Sequence, residues 1–124
     1  MDAIVRRKVL GLVGLGIRGR RAVVGVQQVR DAARRGKLKL ALVAGDASKN
    51  SMDKVVPLLT ARGVAMIEGL TSADLATVCG RESVSAIGVL DSGLASGIKA
   101  AAPDSVVNED VARQKAVRNQ GGRF

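Results

Sequence analysis

Apolar residues recur along this chain with two alternating periods, one helical and one extended. From about Ala3 to Gly14, the residues Ile4, Val5, Lys8, Val9, Leu12 and Val13 share one side of a helix that glycines close. Ala22, Val23, Val24 and Gly25 then read as a short strand. Next, Val26, Val29, Ala32 and Ala33 sit at i, i+3, i+6 and i+7 and line up as one helical stripe, while Gln27, Gln28, Arg30, Asp31, Arg34 and Arg35 point away. Gly36 suits the left-handed residue that ends such a helix. Beyond it Leu38, Leu40 and Leu42 alternate with Lys39 and Ala41, and Val43 and Ala44 prolong the run. This predicts a strand with at least one buried face.

The alternation continues to about residue 103. Asp46 to Asn50 reads as a loop, and Asn50 with Asp53 has the form of a helix N-terminus. Met52, Val55, Val56 and Leu59 supply that helix's face, Pro57 predicts a kink or a late start, and Arg62-Gly63 closes it. A short strand covers Val64, Ala65, Met66 and Ile67. Thr71 or Ser72 caps a helix through Asp74, Leu75 and Val78 that Gly80 ends. Val84, Ala86, Ile87, Val89 and Leu90 form an apolar strand, and Leu94, Ile98 and Ala101 a last helix stopped by Pro103. Strands separated by single helices of this kind predict an α/β fold, a three-layer α/β/α sandwich on a small mixed four-stranded sheet. The expected organisation is one domain over residues 1–103 and a polar, partly disordered tail over 104–124, with Asn108 capping a brief helix through Val117.

Composition sharpens this in two ways. Phe124 is the one aromatic residue, so the core must be built from small aliphatic side chains. The net charge of +9 is strongly localised: between Met1 and Lys39 eleven basic residues meet two acids, whereas nine meet nine in the remainder. A one-sided basic region is the footprint of a polyanion partner, with nucleic acid first and an anionic membrane surface second; a merely solvated basic face is the bland alternative. Cys79 is the single cysteine, which excludes an intramolecular disulfide and fits a reducing compartment. With no histidine, His-based acid–base catalysis, Ser-His and Cys-His pairs and nearly all zinc sites are excluded. No apolar run approaches the roughly 18 residues that span a bilayer.

Two motifs call for weighing. Arg6-Arg7-Lys8 and the run from Val9 to Ile17 imitate an export signal, but the run is glycine-rich, is closed by Arg18, Arg20 and Arg21, and lacks a small-x-small cleavage pattern. Gly14-Leu15-Gly16-Ile17-Arg18-Gly19 satisfies the dinucleotide pattern G-x-G-x-x-G. A strand follows it where a helix is required, and Asp31 lies too early to hold a ribose.

Taken in order, Val24-Gly25, then Val29 with Ala32 and Ala33, then Arg35-Gly36-Lys37-Leu38-Lys39-Leu40, then Ala44-Gly45-Asp46-Ala47-Ser48-Lys49-Asn50 form a specific set. Val56-Pro57-Leu58-Leu59, Arg62-Gly63-Val64, Asp74-Leu75, Gly80 and Ile87-Gly88-Val89-Leu90-Asp91 extend it. The set resembles the ribosomal protein family of large-subunit proteins seven-Ae and thirty-e, a kink-turn RNA-binding superfamily, and in particular its bacterial YlxQ-like branch. The similarity runs from about Val9 to Ala101.

The resemblance implies an α/β/α sandwich that binds RNA where sheared G·A pairs adjoin a sharply bent backbone. The family's recognition motif opens the second helix as G-x-N-E-x-x-K; here it reads Gly25-Val26-Gln27-Gln28-Val29-Arg30-Asp31. Gly25 allows close approach to a phosphate. Gln27 keeps an amide for base edges, and Gln28 keeps an acceptor without the charge of Glu. Asp31 places an anion where Lys is usual, which is expected to weaken RNA binding unless Arg30 or Arg34 takes over. The family's second contact, a loop before the last strand, maps to Arg81, Glu82, Ser83 and Val84. Independently of the resemblance, Arg20, Arg21, Arg34 and Lys37 are available for phosphate contacts, and the near absence of aromatics disfavours modes that stack single-stranded bases.

The expected function is therefore a non-catalytic RNA-binding protein, associated with the ribosome, that recognises structured, kink-turn-like RNA. The alternative is a protein-interaction module of the same fold that has lost specific RNA recognition. No catalytic residue, cofactor or metal is expected. Cys79 lacks a histidine partner and reads as a structural thiol. The expected partner is RNA, kink-turn or ribosomal, bound in the cytoplasm by a chain that is monomeric when free and has no membrane association.

Overall fold

A computed structural model of the chain describes residues 1–108. Its elements are α1 (Ala3–Arg18), β1 (Ala22–Val24), α2 (Val26–Arg34), β2 (Leu40–Val43), α3 (Lys49–Arg62), β3 (Met66–Ile67), α4 (Ser72–Cys79), β4 (Ala86–Val89), α5 (Ser92–Ala101), a 3-10 turn (Pro103–Ser105) and β5 (Val106–Val107). The strands lie in the order β1-β4-β2-β3-β5. β4 runs antiparallel to both β1 and β2, β2 and β3 are parallel, and β5 returns antiparallel along β3. The α/β/α sandwich is as expected, but among the described residues the sheet has five strands instead of four. Val106 and Val107, assigned from the sequence to the tail, pair with Ile67 and Met66. Two valines are too short a run for a period to register in the sequence. The helix expected after Asn108, through Val117, lies outside the described residues.

Alternation along the strands divides the core into two layers. Leu40 and Leu42, Ile67, and Ile87 and Val89 face α1, α4 and α5, where they meet Val9, Val13, Leu75, Ala95 and Ile98. On the opposite face Ala41, Met66 and Ala86 meet Val29, Ala32 and Ala33 of α2 and Val55 and Leu59 of α3. Among the described residues, the fully buried members of both layers are aliphatic apart from Met66.

Helix α1 departs from the sequence expectation, running on to Arg18 through Gly14 and Gly16. Its buried residues are Val9, Val13, Gly14 and Gly16, whereas Ile4, expected on the packing face, is 81% exposed. A Cβ at Gly16 would lie 2.4 Å from Leu94 Cδ2, so this glycine admits α5 against α1. Close packing outweighs the roughly 1 kcal/mol helix penalty of a glycine. The same observation removes the dinucleotide reading, because the glycine pattern is helical and not a phosphate loop. Helix α3 starts earlier than Asn50: the Ser48 side chain accepts from the Ser51 N–H (3.1 Å), and Pro57 is carried inside the helix on its exposed side. Thr71 is the cap of α4, and its reciprocal bonds with Asp74 complete a capping box.

Gly88 sits at the centre of β4, directly beneath α2. A Cβ there would lie 2.5 Å from Leu38 Cδ1, 3.1 Å from Val23 Cγ2 and 3.4 Å from Val29 Cγ2. Leucine can swing away; the two valines, stiff at χ1, cannot do so freely. Gly88→Ala is therefore expected to lower stability by about 1–3 kcal/mol, measured by urea denaturation followed by far-ultraviolet circular dichroism, since Trp and Tyr are absent. An unchanged midpoint would show that α2 can lift off the sheet without cost.

Candidate nucleic-acid interface

Strand directions bring the end of β1, the end of β2 and the start of β4 to one rim of the sheet. At this rim Gly25 links β1 to α2. Its N–H donates to the Ala86 carbonyl (2.9 Å) and its carbonyl accepts from the Val29 N–H (3.0 Å), so both neighbours hold it in place. Its φ of 103° and ψ of 154° belong to a region that is essentially closed to residues with a Cβ. Nothing lies within 4 Å of where a Cβ would be. Glycine is thus required by the backbone's course, and the space before it is open. Gly25 also caps α2 without a side chain, so the N–H groups of the first turn face the rim together with the positive end of the helix dipole.

The loop before β4 borders the same rim. Gly80 ends α4 in the left-handed conformation, Val84 is buried, and the Ser85 carbonyl accepts from the Ala44 N–H (2.9 Å). Arg81, Glu82 and Ser83 are exposed between these anchors. Gln27 and Gln28 are exposed in the first turn of α2. Gln27 Nε2 donates to Asp31 Oδ1 (3.0 Å), and Arg34 Nη1 lies 3.9 Å from the same oxygen. Asp31 therefore orients the Gln27 amide, leaves its carbonyl oxygen available, and has its own charge partly offset by Arg34. Arg30 turns toward α3, where Nη1 donates to the Lys54 carbonyl.

The remaining sequence-derived candidates lie elsewhere. Arg20 and Arg21 precede β1 and Lys37 precedes β2, so all three belong to the opposite rim, one helix length, about 13 Å, from Gly25. Gly25, Gln27, Gln28, Arg81, Glu82 and Ser83 thus form one group, Arg20, Arg21 and Lys37 another, and Arg30, Asp31 and Arg34 lie on the helix between them.

The profile of the Ribosomal protein L7Ae/L30e/S12e/Gadd45 family matches residues 8–98. The chain belongs to this family. An RNA-binding protein YlxQ of Enterococcus faecium is 29% identical over 94 residues, which cover 76% of this chain and 90% of that protein. A solved structure of a protein with unknown function from Bacillus halodurans C superposes with a TM-score of 0.70 at 26% identity, covering 76% of this chain and 95% of the other. A Giardia lamblia 15.5kD RNA binding protein superposes with a TM-score of 0.68 at 16% identity, covering 85% and 90%, which shows a shared fold.

Two further groups near the Gly25 rim have altered acidity. Asp46 Oδ1 accepts from the Ser72 N–H (2.7 Å) and Oγ (2.9 Å), and these bonds hold its carboxyl below the ordinary value of 3.8. Sequence reading placed Asp46 only in a loop; its partner lies 26 residues away. Burial pushes the Cys79 thiol up, against the opposing charge of Arg81, which leaves it a weak nucleophile at neutral pH. Among the described residues no three carboxylate or thiol groups gather where a metal would sit, and no helix is long and apolar enough to cross a membrane.

Two outcomes are expected. Gly25→Ala lowers stability by about 1–3 kcal/mol through backbone strain alone, read from urea midpoints; a neutral substitution would show that the rim relaxes. For Asp46, the unfolded chain takes up a proton before the native one as pH falls, so its contribution to stability is intact above about pH 3.8 and is lost through the lower native value. The acid limb of the stability profile of Asp46→Asn should accordingly be shallower than that of the native chain.

Proposed function

We propose that this chain is a non-catalytic RNA-binding protein whose Gly25 rim receives the bent backbone of a structured, kink-turn-like RNA. The observation that carries the reading is the uncapped start of α2 at Gly25: an open approach, donor N–H groups and a positive helix end beside two exposed amides. A bent strand can bring phosphate against this backbone while Gln27 and Gln28 meet base edges, and the loop from Arg81 to Ser83 borders an extruded nucleotide. Family membership and the YlxQ relative support RNA as the partner. Association with the ribosome and a cytoplasmic site of action are part of the same proposal.

Asp31 makes the proposal quantitative. An anion on the recognition helix opposes phosphate, and Arg34 compensates only in part at 3.9 Å. Salt-dependent titrations against a kink-turn RNA, the same RNA with its G·A pairs mutated, and a plain duplex are expected to rank affinity in that order. Asp31→Lys should raise kink-turn affinity by about tenfold and steepen the salt dependence by about one to two phosphate equivalents. Equal affinity for all three RNAs would overturn kink-turn recognition, and absence of binding to any would favour the protein-interaction module.

A further inference from the structure

We propose that the rim opposite Gly25 is a second phosphate-binding face, so that one molecule of this protein holds two RNA segments at once. The inference rests on the RNA-binding reading above and extends it to a surface about 13 Å away. Three connections converge there. The turn from α1 to β1 carries Arg20 and Arg21, the turn from α2 to β2 carries Arg35, Lys37 and Lys39, and the third leads from β4 into α5.

Hydrogen bonds fix how these turns stand to one another. The Leu90 N–H donates to the Arg21 carbonyl (2.8 Å) and the Lys39 N–H to the Val89 carbonyl (2.8 Å), while Ala22 and Leu40 both pair with Val89. Arg21 and Lys39 therefore flank β4 on either side, about 10 Å apart at ordinary strand spacing. Arg20, held at a φ of 58°, is anchored by its N–H to the Ile17 carbonyl (3.2 Å), and the Arg21 N–H donates to the Gly16 carbonyl (2.7 Å). The array is displayed by a rigid backbone.

Its charge is unusual in being unanswered. All five side chains are exposed, and none has a hydrogen bond or ion pair among the described residues. The single acid on the third connection, Asp91, is committed to α5, where its Oδ2 accepts from the Leu94 N–H (2.7 Å). Helix ends do not account for the array, because Arg20, Arg21, Lys37 and Lys39 lie beyond the last turns of α1 and α2. The Gly25 rim, by contrast, is mixed, with Asp46 and Glu82 beside Arg81 and Lys49. Shape-dependent contacts thus belong to one end of the molecule and the charge for phosphate neutralisation to the other. A backbone engaged at Gly25 would have to turn around the whole body to reach Arg21 and Lys39, so a separate segment is the natural occupant.

The test is a bridging assay. A kink-turn RNA is immobilised, the full chain is added, and capture of a labelled plain RNA duplex is measured across a salt series. The native chain should capture it. The variant Arg20→Glu/Arg21→Glu/Lys37→Glu/Lys39→Glu should keep its hold on the immobilised RNA, lose duplex capture by about a hundredfold, and flatten the salt dependence by about three phosphate equivalents. Glutamine at the same four positions gives a milder loss and guards against misfolding, with circular dichroism as control. Gln27→Ala/Gln28→Ala should do the reverse, weakening the kink-turn and sparing the plain duplex. Bridging that survives charge reversal overturns the second face, as does a native chain that binds a single RNA. Failure of the native chain to bind any RNA defeats the first reading instead, and capture of anionic vesicles by the same four residues would replace RNA as the occupant.

Discussion

Everything in this fold is referred to β4, and β4 is held to α2 by the absence of a side chain at Gly88. The strand is buried on both faces and hydrogen-bonded on both edges, so it cannot shift without disturbing each layer. Because nothing projects from Gly88, Val29 and Leu38 settle onto the backbone and bring α2 down to the sheet. The bond from Gly25 to Ala86 then fixes where α2 begins. The exposed helix start is as firmly placed as the core beneath it, and a recognition surface on a loop would not share that property.

A core with no aromatic residue among its described members also explains the density of close approaches. Small aliphatic side chains bury little area each, so the layers must come nearer to exclude water, and glycines at Gly16 and Gly88 permit it. Rigidity near the sheet leaves variation to the connections. Those at one end are chemically mixed and those at the other almost uniformly basic. The two ends of a single nine-residue helix, α2, therefore present different chemistries to whatever approaches.

Much of this was legible in the sequence, for identifiable reasons. The stripe of Val29, Ala32 and Ala33 and the alternation of Leu40, Ala41 and Leu42 are local periods, and each maps onto the layer it implied. Gly36, Gly63 and Gly80 do adopt positive φ after their helices. What could not be read was anything set by contact at a distance. Helix α1 passes through its glycines because Leu94 waits beside Gly16, and β5 exists because β3 offers it an edge. The basic surplus was visible as a run in sequence, but its division between two rims follows from the register of β1, β4 and β2. A run of cations along the chain carries no record of which ones point the same way. The acid at Asp31 was legible as a departure from the family's motif, whereas its bonds to Gln27 and Arg34 required the helix to be built.

The sheet's two margins complete the account. Among the described residues β5 contributes two residues at one margin and β1 three at the other, and Arg20 and Arg21 directly precede β1. A strand of that length offers few free backbone groups, and like charges meet when two copies approach edge to edge. The arginines proposed to hold a second RNA segment would thus also oppose edge-to-edge pairing of neighbouring sheets, so attraction to one kind of chain and aversion to its own kind would come from the same residues.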